Sequence, residues 1–132
     1  MKKKTGLAMI LILVLTGVLL TGCKYASHYS AIMLITTNTS EKVYLSFSSI
    51  SGTYVGTLKC KDEPGTLQYS AEIEEGSATV YVDYDGDKEE LFTINAGEKI
   101  DSTLEDLKKG KIYIIVETSE TCEDGKFEFN IK

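Results

Sequence analysis

The residues equipped for chemistry are few and uneven. The run "DYDGDKEE", Asp83 to Glu90, places carboxylates at Asp83, Asp85 and Asp87, with Glu89 and Glu90 behind them. A calcium ion takes six to eight oxygen ligands, and acidic loops with Gly supply them. The order departs from an EF-hand, because Gly86 precedes Asp87 instead of following it, and no helix is expected on either side. A hairpin turn at Asp85-Gly86 with charged shoulders accounts for the same letters. Calcium at Asp83, Asp85 and Asp87 is therefore the weaker expectation, and no other metal or cofactor is indicated. His28 is the only histidine, so neither a histidine-based zinc site nor a Ser-His or Cys-His pair within a folded cleft is expected. Carboxylates are plentiful enough for a paired-acid hydrolase, but no spacing marks out such a pair.

Tyrosines are the other conspicuous type, eight in all. Tyr44, Tyr81 and Tyr113 fall on the outward phase of alternating segments. If those segments were neighbours, the rings would form an exposed aromatic face, and such a face marks a binding site.

The N-terminus carries a different kind of chemistry. Met1-Lys2-Lys3-Lys4 is a positive block, Gly6 to Leu20 is apolar apart from Thr16, and small residues lead to Cys23. A charged start, a short apolar run and a small-residue cleavage site describe a secretory signal. The apolar run lies at the short end of what crosses a bilayer. Leu20-Thr21-Gly22-Cys23 resembles the bacterial lipobox. That resemblance, confined to residues 1–23, implies diacylglyceryl transfer to the Cys23 thiol and cleavage before it. Residues 1–22 would be a removed signal, and Cys23 the acylated first residue. The product would be a lipoprotein held by its acyl chains on the extracytoplasmic side of a cell membrane or outer membrane.

Removal of residues 1–22 leaves 110 residues with 11 lysines against 20 acidic side chains, a net charge of about −9. There is no arginine. A chain of this charge is a poor partner for nucleic acid, and an anionic lipid surface repels it. In the exported setting that the resemblance implies, disulfides are permitted. Cys60 and Cys122 allow one pairing, closing a loop of about 63 residues worth roughly 4 kcal/mol. Two buried free thiols or a metal pair are the alternatives, and two cysteines without a nearby histidine make a poor metal site.

These groups need elements to hold them. Lys24 to Ser30 reads as a short polar tether reaching at most about 25 Å. From Ala31 onward apolar residues recur with period two, the signature of half-buried strands. Ala31 to Ile35 is a continuous apolar run that predicts a strand buried on both faces. Alternation follows over residues 43–47, 54–60, 67–73, 78–84, 112–116 and 127–131, with a short run at 91–94. Turn signals fall between them at Pro64-Gly65, Glu75-Gly76, Asp85-Gly86, Ala96-Gly97 and Asp124-Gly125. Ser102-Thr103-Leu104-Glu105 matches a capping box, and Lys108, Lys109 and Gly110 suit a helix end, so a short helix is expected over 102–109.

The expected fold is all-β, with residues 31–132 forming a small antiparallel sandwich of about eight strands. Jelly-roll and immunoglobulin-like topologies both fit. The expected function is a non-catalytic binding module for a protein, peptide or glycan. Capture of a cationic peptide or toxin by the acidic domain is the alternative, and a small carboxylate-pair hydrolase is the third.

Overall fold

Two long strands organise the chain. A computed structural model describes residues 24–132; the expected signal segment 1–22 and the lipidation candidate Cys23 lie outside the described residues. Strand β3 spans Lys42–Cys60 and strand β8 spans Gly110–Ile131. They pair antiparallel along nearly their whole length. The alternating segments at 43–47 and 54–60, expected as two strands, are thus one, and so are 112–116 and 127–131.

Six shorter strands flank this ribbon: β1 (His28–Ile32), β2 (Ile35–Asn38), β4 (Gly65–Glu72), β5 (Glu75–Asp83), β6 (Glu89–Asn95) and β7 (Lys99–Leu107). β1 and β2 line the free side of β3. On the far side of β8, β4 pairs with its C-terminal half and β5 with its N-terminal half. β7 closes the first edge and β6 the second. All eight strands form one antiparallel sheet.

The sheet folds over itself midway. Register shifts between Ile50 and Thr53 on β3, and next to Ser77 on β5, mark where the strands bend. Bulges of this kind kink a strand. Gly52 sits in the bend at φ +121°, and a Cβ there would lie 2.3 Å from the His28 carbonyl oxygen. The two halves then face each other across one core. One layer is β2, the start of β3, the end of β8, β4 and β7. The other is β1, the end of β3, the start of β8, β5 and β6. Gly56, in the second layer, lies directly over Val43 of the first: a Cβ at Gly56 would come within 2.7 Å of the valine methyls. Phe127 stacks on Phe47 and, across the layers, on Phe92. Leu45, Leu67, Val80, Ile94, Ile114 and Phe129 are fully buried between them. The architecture is all-β, as the period-two pattern implies.

Several local expectations are corrected. Residues 102–109 are not a helix; most of them belong to β7, and there is no helix among the described residues. Ile100 pairs with Ala71 and Leu104 with Leu67, while Ser102 stands opposite Tyr69. Burial of Ile100 and Leu104 on one face of the β4 edge outweighs a local capping signal. The register shift between Gly65 and Leu67 carries Leu107 inward as well, with Asp106 at φ +63°. Ala31 to Ile35 is not a strand buried on both faces. It is an edge segment broken at Met33, and Ile32, Met33 and Ile35 are 61%, 77% and 64% exposed.

Cys60 and Cys122 are not bonded to each other; both are buried free thiols. Cys60 pairs with Gly110 and Cys122 with Ile50, so ten residues of β3 separate their levels. Each thiol has a local partner instead. The Cys60 thiol donates to the Asp62 carbonyl at 3.2 Å. Cys122 has the Ser77 and Glu120 carbonyls at 3.5 Å. Burial, with the Glu120 carboxylate adding to it, pushes the Cys122 thiol up to about 11, so it is protonated at neutral pH.

Candidate functional site

The acidic run does not gather three carboxylates around an ion. Asp83 ends β5 and is 2% exposed. Its Oδ2 accepts from the Lys24 amine and from the Tyr25 hydroxyl, each at 2.7 Å. Its Oδ1 accepts from the Gly86 N–H at 2.9 Å. Burial by itself would push this carboxyl up. The hydrogen bonds from Lys24, Tyr25 and Gly86, with the lysine charge, outweigh it and hold the carboxyl below its ordinary range. Asp85 and Asp87 are exposed, and the Asp87 N–H donates to the Asp85 carboxylate at 3.2 Å. This is a hydrogen-bonded turn. Among the described residues no cluster of His, Cys, Asp or Glu is arranged to hold a metal.

The three outward tyrosines do not share a face. Tyr81 and Tyr113 lie on the outer side of the β5–β8–β3 layer, since Tyr113 pairs with Asp83 and Thr57, and Tyr81 with Ile115. Tyr44 pairs with Thr37 and Glu128 on the outer side of the other layer. The first face is already in use. The Tyr25 ring meets Tyr113 edge-on at 5.1 Å, and the Lys88 amine sits 4.4 Å above Tyr81 while pairing with Glu117 at 2.7 Å. The expected tether is laid onto this layer, and β1 begins at His28, three residues before the start expected for the domain. His28 is exposed there.

The open site lies on the outer side of the first layer. Two cross-strand rows build it. Thr103, Gln68 and Asn130 stand side by side on β7, β4 and β8, with Lys42 next on β3. Asp101, Ser70 and Glu128 form the adjacent row, continued by Tyr44 and Thr37. Between these rows runs a groove of about 480 Å³. The Asn130 amide donates to Glu128 at 3.2 Å, and Lys42 pairs with the same carboxylate at 3.2 Å. The Asn130 hydrogen bond first, then Lys42, holds the Glu128 carboxyl below its ordinary range against the opposing effect of burial. Lys42 also lies 5.7 Å from the Tyr44 ring. Gln68, Ser70, Asp101 and Thr103 have no side-chain hydrogen-bond partner among the described residues. The groove thus offers an amide, two hydroxyls and a carboxylate as unengaged donors and acceptors, beside a fixed Glu128–Asn130–Lys42 group and one ring.

Sequence reasoning named none of the residues that line the groove; Tyr44, which it named for another reason, stands next to Glu128 outside the lining. Groove residues come from segments 62 positions apart, and alternation shows only that they point outward. Thr103 was hidden further by the helix expectation over 102–109. The one local signal is the run of uncharged hydrogen-bonding types, Gln68, Ser70 and Asn130, at outward positions.

The sequence matches no family model and no curated protein. Several solved structures resemble the fold. A family 61 carbohydrate-binding module in complex with β-1,4-galactotriose is 16% identical, with 85% of this chain and 91% of that one covered and a TM-score of 0.45. The pre-peptidase C-terminal domain of a collagenase from Bacillus anthracis is 19% identical over 73% of this chain and 91% of that one, with a TM-score of 0.48. A periplasmic inhibitor of g-type lysozyme from Aeromonas hydrophila is 16% identical over 70% and 88%, also with a TM-score of 0.48. With TM-scores below 0.5, none of these likenesses bears on what this chain binds.

Proposed function

We propose that the domain is a non-catalytic glycan-binding module, carried by a lipoprotein that is acylated at Cys23 and faces the outside of a membrane. The groove over Gln68, Ser70, Asp101 and Asn130 supports the ligand class. Saccharides present closely spaced hydroxyls, each both donor and acceptor, and a row of amide, hydroxyl and carboxylate groups can match them pairwise. Tyr44 supplies one apolar surface at the end of the row. A protein partner would call for a buried apolar centre, whereas the lining of the groove is polar apart from Tyr69. Capture of a cationic peptide would rest on Asp101 alone, because the second carboxylate of the groove, Glu128, is paired with Lys42.

The groove also sets two carboxylates, Asp101 and Glu128, on either side of Ser70. Two strand spacings part them, roughly 10 Å between backbones. Glycoside hydrolysis needs one carboxyl kept protonated by its surroundings. Asp101 is exposed and Glu128 is held ionised, so the pair suits binding.

The test is titration calorimetry of the domain against neutral oligosaccharides at low and high salt. A glycan ligand should bind equally well at both, and its products should show no cleavage. Gln68→Ala and Asn130→Ala should each weaken binding about tenfold, the loss expected for one or two hydrogen bonds. Affinity that collapses with salt, or that ignores both substitutions, would overturn the reading.

A further inference from the structure

Residues Lys24 to Ser27 join the proposed anchor at Cys23 to the domain, and Lys24, Tyr25 and Ser27 are each docked onto it. The Lys24 amine is 2.7 Å from Asp83 and 2.8 Å from the Gly86 carbonyl. The Tyr25 hydroxyl donates to Asp83, and its ring packs on Tyr113. The Val55 N–H donates to the Ser27 hydroxyl at 2.9 Å. The four residues therefore cross the outer face of the β5–β8–β3 layer from Asp83 to Val55. On the same face Ile115, paired with Val55 and Tyr81, is 1% exposed although it lies on the outward phase of β8. Asp83 is the only buried charged side chain among the described residues. Burying a carboxylate costs free energy unless it is paired and hydrogen-bonded. Both side chains that satisfy it come from the linker, and the third donor is the turn that Lys24 also touches.

We infer that this contact is a latch that fixes how the domain stands on a lipid surface, with the Asp83–Gly86 corner against the headgroups and the groove on the opposite outer face. The inference rests on acylation of Cys23. A free seven-residue leader would let the domain swing within about 25 Å. Pinning Lys24 leaves one residue, about 3.8 Å, between the corner and the acylated position. Asp85 and Asp87 at the same corner are exposed, and carboxylates resist entry into hydrocarbon, so it rests at the surface without inserting. The groove, on the other layer, is turned outward to meet a ligand beyond the membrane.

The experiment uses the full-length lipoprotein purified from membranes, with acylation of Cys23 checked by intact mass. It is placed in phosphatidylcholine vesicles containing a lipid with a nitroxide headgroup. A fluorophore is attached at Asp87→Cys, beside the latch, or at Lys99→Cys, on the groove layer. The Asp87 label should be quenched several-fold more than the Lys99 label. Either Asp83→Asn or the linker variant Lys24→Gln with Tyr25→Phe should bring the two towards equality; the linker variant leaves every core side chain in place. Equal quenching in the parent, or an unchanged ratio in a folded variant, overturns the latch. An unacylated Cys23 overturns the anchor reading and the latch together, whereas acylation with equal quenching overturns the latch alone. Glycan titration reads the groove independently of both.

Discussion

At the scale of residues, Asp83 shows how burial decides a role. Its neighbours in sequence suggested an ion, but its partners are a lysine and a tyrosine 59 and 58 positions away. Its folded-state pKa is lowered, so its contribution to stability is present above the ordinary carboxylate value of about 3.9 and is lost as pH falls through the folded value. Asp83→Asn should therefore lower the melting temperature at pH 7 and cost progressively less as the pH is taken below 4. Thermal unfolding of parent and variant across that range measures it. A difference that stayed constant with pH would mean that the charge plays no part.

At the scale of elements, the bend in β3 converts one sheet into two layers. Close approach at Gly56 is what lets the end of β3 lie over its own beginning, because the Val43 methyls occupy the space a Cβ would need. Both positions are strand interior, so neither can move away without disturbing β8. Gly56→Ala should destabilise the domain by about 1–3 kcal/mol through overpacking, or roughly 4–8 °C in melting temperature per kcal/mol for a domain of this size. A compensating Val43→Ala in the same chain should recover part of the loss. Denaturant unfolding of the single and double variants tests the contact, and simple additivity would argue against it.

At the scale of the whole molecule, the described residues hold together without a cross-link. A bridge between Cys60 and Cys122 would have contributed roughly 4 kcal/mol; the continuous core from Val43 to Phe129 does the work instead. Reducing agent should leave the melting temperature unchanged. Thiol titration should find Cys60 and Cys122 unreactive in the native protein and both reactive after denaturation. A melting temperature that fell on reduction would show a disulfide. The same layered arrangement sets the linker and the groove on opposite outer faces, which no single strand could do.

Period-two alternation was enough to identify an all-β chain, because burying one face of a strand dictates the spacing of its apolar residues whatever they pack against. It also placed most strands, and it marked Tyr44, Tyr81 and Tyr113 as outward. Alternation says nothing of which strand lies beside which, so only the tertiary structure could part Tyr44 from the other two or assemble Gln68, Ser70, Asp101 and Asn130 into one groove. It decided the cysteines for the same reason, since the register of β3 against β8 keeps them ten residues apart. Residues 102–107 show the limit most directly. Their letters cap a helix locally, but the open edge of β4 offers a paired backbone and a place for Ile100, Leu104 and Leu107, and long-range burial outweighs a local capping preference.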